Sequence, residues 1–522
     1  MSLRSKPRHE SAWTAMDTLG PRERRRPAPR CAMESLEHRV LLSATSAAVQ
    51  PVPAHSRSAR VLAALKPGAS LTGTGAAPSA TTAASAPIPG DANLDGRVDA
   101  KDFALLTANY GLTSGATWAQ GDFNGDGAVN FADFSLLSQH YLQGIGAIHP
   151  VAAQAPAGAL WQNPIVITKG GTYSGNWQSL SVNTPAVTIA TSDPVTILNS
   201  NIQSKGTLIE SSTTHANITV KGTNGWALNP NVLGQSPGRF LDASNFSNID
   251  VENNTMVGTA GMELGYYAGN GSTSQTVTAL YNNALNIDGR YSNGAGGFLT
   301  GAGDNDYVQF LQLNACHNLA GAQIAWNQVV NQPGQSRVED NISIFHSSGT
   351  GTSPILIHDN NINGAYPASP ATDDSYTGGG IMLSDGFTSS ATTDTGNVHA
   401  YNNVVTATTN YGLAISSGHD DVITNNIVIA SGLLPSGARI ASQNVGVYIW
   451  NMGSDPFFKN NQAYGNTIGW MGPSGRNDSW EPDGSGQKGD TLLSGSITLA
   501  IEQSYFSSWA HRIDQGGFSI GA

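Results

Sequence analysis

The sequence predicts a mainly β fold, a solenoid of short parallel strands, preceded by a small helical module. Three observations carry this. Asparagine pairs recur at the ends of short β-branched runs. A duplicated stretch rich in aspartate and glycine stands ahead of them. Charged residues make up only 12% of the 522-residue chain, against 60 glycines, a composition of turns and uncharged polar faces.

The elements follow in chain order. Residues 1–45 read as a sorting segment, of which 1–30 are rich in arginine (Arg22, Arg24, Arg25, Arg26, Arg30) and lack the apolar centre of an ordinary secretory signal. MESLEHRVLLSA, Met33 to Ala44, resembles the LEPR-XLL type of N-terminal motif through Leu36, Glu37, Arg39, Leu41 and Leu42, with His38 where that pattern has proline. The resemblance implies export or surface sorting. Residues 46–88 are Ala, Ser, Thr and Pro with little to bury, which reads as a disordered linker.

The formal net charge of −12 is unevenly spread. Residues 1–66 hold 12 of the 25 Lys and Arg and 5 of the 37 Asp and Glu, so the rest carries −19. Such a chain repels nucleic acid, which is excluded as a partner. No apolar run approaches membrane-spanning length. Cys31 and Cys316 lie in separate segments and define no disulfide framework; Cys316 reads as a small core residue.

Residues 89–145 form the duplicated module. GDANLDGRVDAKDFALLTANYG (Gly90–Gly111) and GDFNGDGAVNFADFSLLSQHY (Gly121–Tyr141) repeat with an offset of 31. Ca²⁺ takes six to eight oxygens from set positions of a 12-residue loop. The first loop offers Asp91, Asn93, Asp95, the Arg97 carbonyl, Asp99 and Asp102. The second offers Asp122, Asn124, Asp126, the Ala128 carbonyl, Asn130 and Asp133. Gly96 and Gly127 occupy the sharp turn, and Val98 and Val129 are expected to bridge the loops. Each loop runs into a short helix, no helix enters it, and position twelve is Asp. This pattern resembles a type I dockerin. The resemblance implies two bound Ca²⁺ ions and a cohesin domain as partner, selected through loop positions ten and eleven: Ala100, Lys101, Phe131 and Ala132.

From 155 to 500 the short runs VENNTM, LYNNAL, HDNNIN, AYNNVV, ITNNIV and FKNNQA recur. Aligning the second Asn gives Asn254, Asn283, Asn360, Asn403, Asn426 and Asn461, with Asn341 in the same frame. Asn tolerates left-handed backbone, and stacked amides can bond from coil to coil. The pairs are therefore expected to turn the chain between sheets and not to do chemistry. The pattern resembles the right-handed parallel β-helix of pectate lyase-like proteins. Ile497–Trp509, leading into a tail over 501–522, is expected to cap the last coil.

The candidate site residues come from two frames. With the inward position three before the ladder Asn, the outward set is Glu252, Tyr281, Glu339, His358, Tyr401, Thr424 and Lys459. The runs GIMLSDG, GLAISSGHDD and GVYIWNMG, starting at Gly380, Gly412 and Gly446, would stack and place Asp385, His419, Asp420 and Trp450 along one edge. The loop 365–377, with Asp373 and Asp374, would flank it. Arg337, Glu339, His358, Asp385 and His419 are the catalytic candidates; Tyr281, Tyr401 and Trp450 are candidates for sugar contact. A polysaccharide lyase would use Arg337 as base. A hydrolase would use a carboxylate pair such as Glu339 and Asp385. A non-catalytic carbohydrate-binding or spacer solenoid fits the same sequence.

Overall fold

The computed structural model describes residues 88–94, 98, 100–140 and 155–522, apart from 157, 376, 387–389, 485–488 and 517–518. The sorting segment and the linker up to 87 lie outside the described residues, as do Asp95, Arg97 and Asp99 of the first loop.

The small module carries two helices, α1 (Ala100–Asn109) and α2 (Phe131–His140). The duplication reappears as packing. A Cβ on Gly90 would strike Leu137 of α2, and one on Gly121 would strike Leu106 of α1, each at 2.9 Å from the Cα. Both glycines also have positive φ. Each helix therefore packs on the other repeat's loop entry, and only glycine fits there. Asp102 accepts the N–H groups of Ala92 and Asn93, and Asp133 those of Phe123 and Asn124. Val98 and Val129 are both buried, but Val129 pairs its backbone with Gly111 and Leu112. The expected direct bridge is replaced by pairing with the link that follows α1.

Residues 165–492 wind into a parallel β-helix. Three strands per turn feed three sheets of eleven, ten and twelve strands among the described residues, and up to the last coil each interior strand pairs with one three places earlier and one three places later. One pair is antiparallel, Met471 to Arg476, at the end. Strands buried on one face alternate. In the ten-stranded sheet Val220, Val251, Ala279, Ile324, Ile357, Ala400 and Ile423 stack in register at 0–1% exposure. Each buried Val or Ile side chain contributes about 1.5–3 kcal/mol relative to exposure.

The asparagines are the turn from the ten- to the twelve-stranded sheet. At each turn one residue takes positive φ and the next enters a ladder. Asn253, Asn402 and Asn425 hold φ of 52–56°, so each pair divides the two tasks. The ladder amides run Asn254, Asn282, Asn327, Asn360, Asn403, Asn426, Asn466, each Nδ2 donating to the next Oδ1 at 2.9–3.1 Å. Asn466 donates to Asp490.

Three positions differ from expectation. Asn282, not Asn283, is the ladder residue, because Tyr281 itself takes the left-handed turn. Asn461 belongs to another turn, where it accepts the Asp421 N–H before the ten-stranded sheet. Asn341 lies in the eleven-stranded sheet and donates to Gly364 and Gly379.

The C-terminal cap is also corrected. Ile497 lies against Gly469 near the end, but helix α3 (Leu499–Gly516) packs on the flank of the twelve-stranded sheet. Trp509 donates to the Asp359 carbonyl at 2.6 Å, and Arg512 pairs with the Asp359 carboxylate and covers Trp326. The chain ends with Gly521 donating to Tyr281 and Ala522 to Thr255. Among the described residues no helix is long and apolar enough to cross a membrane. Cys316 is fully buried, and burial pushes its thiol up to about 12.

Candidate functional site

The eleven-stranded sheet presents the outer face with the most chemistry. Its outward row is set by strand register: Glu210, Asp242, Glu263, Gln312 and Ser343 on successive rungs, then Met382, Ala414, Tyr448 and Trp480. The row passes from acidic to amide to aromatic. Trp450 stands beside Trp480, ring centroids 5.0 Å apart.

A cleft crosses the middle of this row. Glu263, Gln309, Gln312, Glu339 and Asp385 line it, with Tyr307 and Phe345 as walls. Glu339 and Asp385, proposed as partners from sequence, thus share one cleft. Gln309 donates to Glu339 Oε2 at 2.8 Å. Burial, reinforced by Asp340, pushes the Glu339 carboxyl up to about 8. Burial pushes Asp340 up to about 7, against the hydrogen bond from Tyr411. Asp385 is raised by burial and restrained by Ser416 Oγ and the Gly386 N–H. A carboxylic acid that keeps its proton at neutral pH beside other carboxyls is the inventory of acid–base chemistry.

Arg337 sits behind the wall. It is 7% exposed, lies over the Tyr307 ring at 5.5 Å, and leaves Nη1 without a hydrogen-bond partner. Burial lowers its pKa while Glu339 opposes the shift, and the charge of Asp373 in the flanking loop also acts on it.

The remaining candidates lie elsewhere. His358 and Tyr401 are neighbours on the ten-stranded sheet, rings stacked at 4.8 Å and 5°. His358 Nδ1 is 2.7 Å from Asp359, and burial pushes the imidazole down to about 4. His419 pairs with Asp420 at 2.7 Å in the turn that enters that sheet. Tyr281 is the left-handed turn residue packed under α3. The corrected outward row of that sheet is Glu252, Leu280, Ala325, His358, Tyr401, Thr424. Tyr281, Glu339 and Lys459 leave it, because loops of unequal length shift the frame.

Sequence reasoning missed His346 and Tyr411. His346 takes positive φ directly after Phe345, its backbone N–H donates to the Asp385 carbonyl, and its imidazole lies over Gly386. Burial lowers its pKa, and Asp385 opposes this. His346 follows one strand and Tyr411 opens another, and the register of both with the strand that ends at Asp385 is visible only in three dimensions.

In the small module, the second loop is folded as an oxygen cradle. Asp122 accepts the N–H groups of Gly125, Asp126 and Gly127, Asn124 that of Asp126, Asp126 that of Ala128, and Asn130 that of Ala132. The Ala128 N–H holds the exposed Asp126 carboxyl below its ordinary range. Among the described residues no three acidic or histidine side chains already converge as a metal site. The donor set is nonetheless all oxygen, carboxylates with amides and a peptide carbonyl, which fits Ca²⁺. Of the positions expected to face a partner, Phe131 is 44% exposed against Phe134 and Ala132 is exposed; the side chains of Ala100 and Lys101 are outside the described set.

Residues 89–143 match the dockerin type I domain family. This part of the chain is a calcium-binding docking module whose class of partner is a cohesin domain. No curated protein matches the chain.

Proposed function

We propose that the chain is an exported glycoside hydrolase, held on a cohesin-type partner through a dockerin that carries two Ca²⁺ ions. Ala100, Lys101, Phe131 and Ala132 contact that partner. The observation that carries the enzymatic reading is the shared cleft of Glu339 and Asp385 on the outer face of one sheet. Glu339 is the proton donor to the leaving oxygen, and Asp385, its carboxyl held by Ser416 Oγ and the Gly386 N–H, is the partner that activates water or attacks the sugar. Burial, reinforced by Asp340 alongside, favours the protonated form of Glu339. Covered Arg337 and the acceptor-rich lining favour hydrolysis over β-elimination.

The test is turnover by the full chain on neutral, amino and acidic polysaccharides, following new reducing ends and ultraviolet-absorbing unsaturated ends. Reducing ends that vanish in Glu339→Gln support the hydrolase. Unsaturated ends would make it a lyase. A folded protein with neither signal is a carbohydrate-binding solenoid, a reading favoured by the aromatic end of the row at Tyr448, Trp450 and Trp480.

A further inference from the structure

A second concavity, of about 560 Å³, lies away from the cleft at the edge of the ten-stranded sheet. Ser192, His215, Asn217, Asn270 and Gln275 line it, and His215 is the one ionisable group among its described lining residues. Asn217 points outward from its strand, between buried Ala216 and Ile218. Its Oδ1 accepts Asn248 Nδ2 at 3.3 Å, and Asn248 Oδ1 accepts the Thr276 N–H. On the coil before, Val195 pairs with Ile218, which sets Pro194 beside Asn217. Proline has no polar side chain, so this column of amides ends there. Asn217 Nδ2 has no partner among the described residues.

The wall of the groove, residues 267–275, is closed on itself. Tyr267 Oη donates to the Gln275 carbonyl and accepts the Gly271 N–H. Gln275 Oε1 accepts the Asn270 N–H at 2.9 Å, and Asn270 Oδ1 accepts the Ser272 N–H and hydroxyl. In Asn217, Asn270 and Gln275 alike, the amide oxygen is committed inside the protein and the amide nitrogen is left over at the groove. These donors are fixed before a ligand arrives, which lowers the ordering cost of binding.

We infer that this groove is a second binding site, for an uncharged oligosaccharide whose ring and hydroxyl oxygens accept from Asn217 Nδ2, Asn270 Nδ2 and Gln275 Nε2. Three neutral donors call for a ligand dense in acceptors. No Lys or Arg lines the groove, and the chain after residue 66 carries −19, so uronates and sulfated sugars meet no counter-charge. An apolar ligand would leave the donors without partners. The site stands on the same corner of the solenoid as the cleft. His215, Asn245, Tyr266, Ala315 and His346 follow one another on successive coils, all at positive φ. His215 at the groove and His346 beside Asp385 are thus four rungs apart, about 19 Å at 4.8 Å per rung. The inference does not depend on what the cleft cleaves.

The test is calorimetric titration of the full chain with xylohexaose, cellohexaose and mannohexaose, all uncharged, and with hexagalacturonate, at low and high salt. The expected result is binding of an uncharged hexaose that salt does not change, with hexagalacturonate at least about tenfold weaker. Asn270→Asp with Gln275→Glu keeps the oxygens that close the wall and replaces both donors by acceptors, so binding should weaken by about tenfold or more. Asn217→Asp, on a different element, should weaken it in the same sense and decides the matter if the double variant lowers Tm. Glu339→Gln should leave this binding unchanged. No binding of any of the three hexaoses, tighter binding of hexagalacturonate, or undiminished binding in the groove variants overturns the inference. Loss of binding in Glu339→Gln places the sugar in the cleft and overturns it too. Cleavage with undiminished binding in the groove variants leaves the hydrolase standing and removes this site; groove binding without cleavage does the reverse.

Discussion

The hydroxyl of Tyr411 donates to the carboxylate of Asp340 across an intervening strand. Asp340 pairs with Gly379 and Gly379 with Tyr411, so the contact passes directly over the glycine. A Cβ on Gly379 would lie 2.2 Å from Asp340 Oδ1 and 2.4 Å from Tyr411 Cζ. Glycine is therefore required there by the side chains on either side.

Gly379→Ala should break that hydrogen bond and destabilise the fold by about 1–3 kcal/mol, the cost of overpacking. Tyr411→Phe removes the bond without the clash and should raise the Asp340 pKa further, because the hydrogen bond favours the ionised form. Chemical denaturation and carboxyl-resolved NMR titration would separate the two variants. Equal, wild-type-like behaviour of both would show that the contact is idle.

The buried acids give the fold a pH dependence of definite sign. Glu339 goes from 4.5 to about 8 and Asp340 from 3.8 to about 7 on folding. The folded state thus holds protons that the unfolded chain has released, and stability falls as pH rises from about 4 towards 8. Glu481 and Glu502, both pushed up to about 7 by burial, act in the same direction. Tm at fixed calcium should be higher at pH 5 than at pH 9. Glu339→Gln with Asp340→Asn should flatten that dependence, and an undiminished slope would count against it.

The two members of an asparagine pair should respond differently to substitution. Asn360 is fully buried and donates to Ile324 O and Asn403 Oδ1 while accepting from Asn327. Asn360→Ala strands several buried groups and should cost about 3 kcal/mol or more. Exposed Asn402, at φ 56°, should accept glycine almost without loss and valine only at a cost of more than about 1 kcal/mol. Urea midpoints of the three variants decide the matter.

In the docking module, Asp122→Ala with Asp126→Ala should remove one of two calcium-binding events in a titration, leaving the first loop occupied. Cohesin capture should then fall with the lost ion. Two undisturbed events would refute the ligand assignment of the second loop.

Much of the solenoid was legible because the Asn pairs encode a left-handed residue followed by a ladder residue. Asn327 and Asn466 escaped since Trp326 and Gly465 take the left-handed position, leaving a single Asn in the sequence. Asn461 misled because Asn460 and Asn461 serve a different turn with the same chemistry. Asp385 came from the repeated Gly-apolar frame and Glu339 from a ladder frame that Asn341 does not join, so the cleft they share had no sound local signal. His358 and His419 were not separable from it, because loops of unequal length hide which of three sheets a strand joins. The Tyr411–Asp340 contact spans 71 residues and had no local signal.

The ladder also has a direction. From Gly175 to Asn466 each backbone N–H donates to the ladder oxygen of the following coil, first to Ser200 and Thr223 hydroxyls, then to amides, and last to Asp490. Asn466 gives both its N–H groups, backbone and side chain, to the Asp490 carboxylate. A carboxylate accepts and cannot pass the chain onward, so Asp490 is a terminator. Whole coils could be gained or lost between these ends without disturbing the pattern, whereas a terminator placed early would halt it. The length of the cleft-bearing face is in that sense a count, kept by one row of amides and closed by a single acid.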